Sequence, residues 1–370
     1  METTLYPRLI LDALSNVRYP GNGKNIVELG MVEDDIRIDG NTVSFSLIFD
    51  KPTDPFVKSL VKAAETALTT YISPEVDVKD RIKVKFRNPN PAPRPDTPLK
   101  GVKNIIGISS GKGGVGKSTV ASNLAVALAR MGYKVGLLDA DIFGPSVPKM
   151  FGVEDEPIYA ENVDGREMIV PVERYGVKVL SIGFLVDRNS PVLWRGAMAS
   201  RALNQLITDA LWGELDYFLI DMPPGTSDIH LTLVQTLAIT GAVIVSTPQE
   251  VALADARKGL AMFRDDKVNV PVLGIVENMA WFTPAAHPDE RYYIFGRDGA
   301  VKLAEEFGVK VLAQIPLVGS ICEGGDCGAP IALRDSITGE AFMELAGNLV
   351  EAVDRRNSEL PPSTKVETHS

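Results

Sequence analysis

The segment GKGGVGKST at 111–119 carries the densest chemical signal in the 370-residue sequence. Gly111, Gly116, Lys117 and Ser118 stand at the G-x-x-x-x-G-K-[ST] spacing of a phosphate-binding loop. With Gly113, Gly114 and Val115 between them, the glycines let backbone N–H groups turn inward around phosphate oxygens. Ser118 and Thr119 open a run with helical apolar spacing, and a helix N-terminus adds attraction for the same anion. Lys117 is expected to reach the β- and γ-phosphates and the Ser118 hydroxyl to ligate Mg²⁺. ATP with Mg²⁺ is the expected ligand. Lys112, a second lysine that this loop does not require, reads on its own as a solvated charge.

Three acids accompany the loop. Asp139 and Asp141, in LLDAD, close one apolar run; Asp221, in YFLID, closes another and is followed by Met222-Pro223-Pro224-Gly225. Acids at the C-terminal ends of parallel strands face the crevice where ligands bind. One can hold Mg²⁺ through water and another can orient the attacking water.

The elements that must position these groups are legible as alternating patterns. Apolar strands are expected at 104–109, 134–139, 217–221, 242–247, 272–276 and 311–315, and helices at 118–131, 196–212, 229–238, 252–263 and 300–307. Strands apolar on both faces, such as VIVST at 243–247, belong in a parallel sheet covered by helices. The fold class is therefore α/β: a doubly wound, mostly parallel P-loop NTPase domain with a small N-terminal α+β domain. That small domain spans 1–86, with helices over 5–15 and 55–71 and strands over 41–49 and 81–86. A proline-rich linker follows at 87–99, where alternating prolines favour an extended chain. The ATPase domain runs over 100–356. Within it 157–184 breaks the alternation, and Asp164-Gly165 suggests a hairpin insertion. A last amphipathic helix lies over 341–353, and the polar tail at 357–370 reads as disordered.

Composition narrows the class. Lys plus Arg is 38 and Asp plus Glu is 48, a net charge of -10 that offers no global attraction for nucleic acid or anionic lipid. Two cysteines exclude a disulfide scaffold and suit a reducing compartment, hence a cytoplasmic expectation. No apolar run approaches the ~20 residues of a membrane span, and the N-terminus reads without a signal peptide.

At GKGGVGKST the sequence resembles the deviant Walker A ATPases of the MinD/ParA group. DADIFGPSVPKMFG (139–152), LIDMPPGTSD (219–228), STPQEVALADARKGLAMF (246–263), GIVENMAWF (274–282), IFGRDGA (294–300) and QIPLVGSICEGGDCGAP (314–330) resemble, in order, segments of the Mrp/ApbC iron–sulfur carriers. IVELGMV (26–32) resembles the small domain that often precedes this ATPase, itself related to a metal–sulfur cluster assembly domain. The resemblance implies a homodimer closing around ATP. Lys112 then reaches the partner subunit's nucleotide, Asp141 stands near the attacking water, Asp139 and Asp221 lie around Mg²⁺, and Asn278 reads adenine. It also implies slow ATP hydrolysis serving transfer of iron–sulfur clusters to apoproteins, with cluster assembly factors as further partners.

The sequence departs from that pattern in one place. Many members carry Cys-x-x-Cys between the ENM and IFG segments; here TPAAHPDERYY has none, and His287, Asp289 and Glu290 within it read as a solvated loop. Cys322 and Cys327, in a glycine-rich stretch read as a loop, are the chain's two thiols. From two subunits they total the four thiolates that suit a [4Fe–4S] cluster bridging the dimer; they also read as two unconnected small residues. The alternatives to a carrier are a ParA/MinD-like dimerising switch, or a partner-recruiting platform without its own cluster.

Overall fold

The computed structural model describes residues 5–20, 23–49, 54, 56–86, 98–142, 144–185, 196–284, 286–287 and 289–365. The chain divides into two compact units, Met1–Pro93 and Arg94–Ser370. The expected linker lies largely outside the described residues.

In the first unit, α1 (Pro7–Leu14) begins with proline at its first turn, where a missing N–H costs nothing. It is followed by β1 (Arg37–Asp39), β2 (Thr42–Phe49), α2 (Val57–Tyr71) and β3 (Ile82–Phe86). β2 pairs antiparallel with β1 and parallel with β3. The alternation Val43, Phe45, Leu47, Phe49 puts one face of β2 against Ile10, Leu14, Leu60 and Leu68, the core of an α+β unit. β1, three residues long, carried no pattern to announce it.

In the second unit the order is β4 (Val102–Ser109), α3 (Lys117–Arg130), β5 (Val135–Asp139), α4 (Val147–Phe151), β6 (Ala160–Val163), β7 (Arg166–Ile169), β8 (Val172–Arg174), β9 (Val177–Ser181), α5 (Gly196–Thr208), β10 (Leu215–Asp221), α6 (Asp228–Thr236), β11 (Gly241–Ser246), α7 (Glu250–Arg264), β12 (Val272–Phe282), α8 (Gly299–Phe307), β13 (Val311–Leu317), α9 (Gly319–Asp326) and α10 (Ile337–Glu359). Eight strands form one sheet in the order β13-β12-β11-β4-β10-β5-β9-β8, parallel except for the β8–β9 pair.

Adjacent strand residues go to opposite faces. Ile106, Ile108, Leu137, Leu219 and Val243 join α3 and α10 in one core, whereas Ile105, Leu138, Phe218, Ile220 and Ile244 join α5, α6, α7 and α8 in the other. Burial on both faces explains the unbroken apolar runs, each large side chain contributing roughly 1.5–3 kcal/mol.

Expectations for the 157–184 insertion and for the C-terminal helix needed adjustment. The 157–184 insertion is in part what it was read to be: β6 and β7 form a hairpin, with Asp164 (φ 52°) and Gly165 (φ 80°) both left-handed as a type I′ turn requires. Its C-terminal part, β9, instead enters the main sheet parallel to β5. The last helix also runs through Glu359, past the expected start of the tail at 357. Its end comes just before Pro361-Pro362, where the backbone can no longer donate.

Candidate functional site

Three neighbouring strands, β4, β10 and β5, end at one edge of the sheet. Pairing places Asp221 beside Asp139 on one side and Ile108 on the other. The loop at 110–116 leaves β4 at the same edge and turns into α3. Gly116 caps α3 with φ 83°, and a Cβ there would lie 2.2 Å from the Asn278 side-chain nitrogen, so glycine alone fits. Asn278, near the middle of β12, donates from Nδ2 to the Val115 carbonyl at 2.8 Å and so braces the loop. Thr119 is half-buried in the first turn of α3, and its carbonyl accepts from Asn123.

Lys117, the first residue of α3, is 6 % exposed. Its ammonium bonds Asp221 Oδ1, contacts the Ser118 hydroxyl at 3.3 Å and stands 3.7 Å from Asp141 Oδ2. Lys112, by contrast, is exposed, with no ion pair among the described residues. Gly113 and Gly114 are exposed at the tip beside it.

The two acids on adjacent strands differ in what they hold. Asp139 Oδ1 accepts from the Asp141 N–H at 3.1 Å, and Oδ2 from the Val147 N–H at 3.3 Å and the Ser181 hydroxyl at 2.9 Å. Both its oxygens are engaged, tying the end of β5 to Asp141, to the start of α4 and to the end of β9. Burial first, and the neighbouring Asp221 charge second, push its carboxyl up to about 8. Asp221 is raised too, by burial, against the pull of Lys117. Its Oδ2 is buried with no hydrogen-bond partner. An unpaired carboxylate oxygen beside a serine hydroxyl is a hard oxygen-donor set that fits Mg²⁺.

His230 went unnoticed in the sequence. It lies fully buried on α6, Nε2 3.5 Å from the Ser109 hydroxyl and Nδ1 3.4 Å from the Ser227 hydroxyl, edge-on to Phe263. Burial pushes it down to about 4, so it is neutral at neutral pH. Nothing in DIHLTLV distinguishes it from a surface histidine, since its partners come from β4 and the turn before α6.

Cys322 and Cys327 do not lie in a loop. Cys322 is within α9 and Cys327 caps it; both are free and exposed. The expectation of a loop rested on three glycines, whose low helix propensity is overridden by packing on α4. His287 is exposed, 3.8 Å from Glu290, and Asp289 is exposed near it. Among the described residues, no group of three or more His, Cys, Asp or Glu could hold a metal ion. In the same segment Arg291 stacks on Trp281 and Phe282 bridges to Tyr292.

The family model of the NUBPL iron-transfer P-loop NTPases matches residues 101–350. The chain belongs to that family. A second model, of iron–sulfur cluster assembly proteins, matches residues 8–79. The iron–sulfur cluster carrier protein of Synechocystis is 45 % identical over 347 residues, 93 % of this chain and 97 % of the relative. An Arabidopsis thaliana relative, an iron–sulfur protein required for NADH dehydrogenase, is 49 % identical, over 69 % of this chain and 80 % of its own. Among solved structures, the Archaeoglobus fulgidus nucleotide-binding protein in complex with ADP is 36 % identical with a TM-score of 0.56, covering 73 % of this chain and 96 % of that one. The Pyrococcus furiosus cell division ATPase MinD is 28 % identical with a TM-score of 0.51, over 67 % and 98 %. This NUBPL-family chain is thus an iron–sulfur carrier-type P-loop NTPase on a MinD-like sheet, with a cluster-assembly-type unit before it. Among its described residues no helix is long and apolar enough to cross a membrane.

Proposed function

We propose that this chain binds and slowly hydrolyses ATP as a homodimer, and that the nucleotide cycle governs transfer of an iron–sulfur cluster to apoproteins. The observation that carries the nucleotide half is the buried Lys117–Asp221–Asp141 group beneath a glycine-rich loop, with Asp221 Oδ2 unpaired. Family membership, and the ADP held by the Archaeoglobus relative, support the same reading.

In that reading the loop N–H groups and the α3 N-terminus bind the phosphates. Lys117 exchanges its contact with Asp221 for the β- and γ-phosphate oxygens. Ser118 and Asp221 would hold Mg²⁺, which would neutralise phosphate charge. Asp139 keeps Asp141 and the start of α4 in place, and Asp141, freed from Lys117, orients the attacking water. Lys112, exposed and unpaired among the described residues, reaches the nucleotide of the partner subunit. Asn278 lies on the adenine side while bracing Val115. A neutral His230 keeps the end of β4 in register with the turn that follows Asp221.

The cargo half rests on the two thiols, and a reducing, cytoplasmic setting suits them. Cys322 and Cys327 from two subunits supply the four thiolates of one bridging cluster. Anaerobic reconstitution with iron and sulfide tests this. About four iron per dimer are expected in the wild type, and none in a Cys322→Ala/Cys327→Ala variant that retains its ATPase activity. A wild type that dimerises with ATP yet takes up no iron would instead make the chain a dimerising switch. The absence of cysteine from the 283–293 segment favours that second reading.

A further inference from the structure

The two cysteines are held apart by the element that carries them. Five residues advance about 140° around a helix axis beyond one full turn, so Cys322 and Cys327 leave α9 in diverging directions. Cys322 Sγ lies 3.6 Å from Asp326 Oδ2, on its own turn. A folded α9 therefore cannot aim both sulfurs at one metal. In an open loop, by contrast, a Cys-x₄-Cys spacing does serve a single cluster.

Nor is α9 a strong helix. It has eight residues, GSICEGGD, and three are glycine. Helices this short are marginal alone, and each interior glycine weakens them further. A glycine cap closes its end, with the Ala329 N–H donating to the Gly324 carbonyl at 2.8 Å, and contacts outside α9 hold that cap in place. Gly328 follows it at φ 69°, and a Cβ there would lie 2.5 Å from the Cα of Gly152, the residue that caps α4. The Tyr175 hydroxyl donates to the Gly328 carbonyl at 2.8 Å. Met150 of α4 faces Gly325 on one side and accepts from the Ser122 hydroxyl of α3 on the other.

The support itself leads back to the phosphate site. α4 begins at Val147, whose N–H is bonded to Asp139, and the preceding loop carries Asp141 beside Lys117. We propose that α9 is a conditional dithiol site for a soft metal: its thiols converge only when the helix unwinds, and α4 makes that unwinding answer to the nucleotide. When phosphate draws Lys117 away from Asp141, Asp141 and α4 shift, and the Gly152–Gly328 seat that keeps α9 wound is lost. The proposal rests on the reading that these thiols carry the cargo, but the arsenical test below reads α9 independently of iron.

Phenylarsine oxide reports convergence, because it forms two As–S bonds with a close dithiol and releases its oxygen as water, with no change of oxidation state. Its capture by the full reduced chain is measured with and without Mg·ATP, alongside hydrogen exchange of the α9 amides. Both are expected to rise several-fold with Mg·ATP. Gly325→Ala adds a methyl 3.8 Å from Met150 Cγ, an ordinary contact, and is expected to slow both about fivefold by strengthening the helix. Glu323→Gly is expected to speed both by a similar factor. Capture that ignores Mg·ATP, or that ignores both substitutions, would overturn the proposal. A wild type that captures the arsenical in a nucleotide-dependent way but takes up no iron supports the α9 inference and refutes the cargo reading.

Discussion

Lys117 is a cation buried between two acids, which lowers the cost of its burial and holds it at the start of α3, beside the glycine-rich loop. Lys117→Ala removes a charge-assisted contact to the β/γ-phosphates of roughly 1.5–3 kcal/mol. ATP affinity is expected to fall by at least tenfold in calorimetric titration, whereas Ser118→Ala should chiefly weaken its Mg²⁺ dependence. Binding like the wild type's in Lys117→Ala would sink the phosphate assignment. Asp139 carries a different signature. Its carboxyl is raised from 3.8 to about 8 by burial and by Asp221. Between those values the folded chain holds a proton that the unfolded chain has released. The resulting stability is whole below about pH 4 and is lost as pH climbs through about 8. In Asp139→Asn, the fall in Tm of the nucleotide-free protein between pH 5 and pH 8.5 should be shallower than in the wild type. An unchanged slope would assign the titration elsewhere.

The elements follow from local rules more closely at their ends than in their interiors. α10 begins at Ser336, whose hydroxyl oxygen accepts from the Gly339 N–H at 3.1 Å, and covers the sheet with Phe342, Leu345, Leu349 and Val353. Ser336→Ala leaves that N–H without its cap and should cost about 1 kcal/mol in urea unfolding. A loss below a few tenths would show that the packed face alone sets the start of the helix. α9 obeys the opposite balance: its composition resists the helix, and neighbours impose it.

At the scale of the molecule, each unit carries its own apolar core, one under β2 and two against the faces of the eight-stranded sheet. The proposed dimer adds a requirement that neither unit meets alone, since Lys112 points to no partner of its own among the described residues. Lys112→Ala and Asp141→Ala homodimers are each expected to lose hydrolysis. A mixed dimer should regain one intact site, and with random exchange activity should return to about a quarter of the wild type's, because half the dimers are mixed and each has one working site of two. No recovery, once subunit exchange has been demonstrated, would remove the trans role of Lys112.

The glycine-rich loop of this P-loop NTPase was legible because its residues, GKGGVGKST, are contiguous in sequence, and because a strand before it and a helix after it show as periodicity. The same holds for strands buried on both faces and for the Asp164-Gly165 turn. Other features depend on neighbours that are remote in sequence. β9 joins the main sheet by pairing with β5 some forty residues upstream. His230 is buried by β4 and Phe263. Asp139 and Asp221 have similar strand-end sequences, yet one spends its oxygens on α4 and β9 and the other keeps one free. The glycines around Cys322 and Cys327 spoke for a loop because propensity is a property of the chain, and tertiary packing on α4 overrode it. The sequence by itself determined the alternation of strands and helices that builds a doubly wound sheet, and the glycine-rich loop at its edge. Only the tertiary structure decided which acid is available and where the thiols point, because both depend on contacts made across the sheet and between helices far apart in the chain.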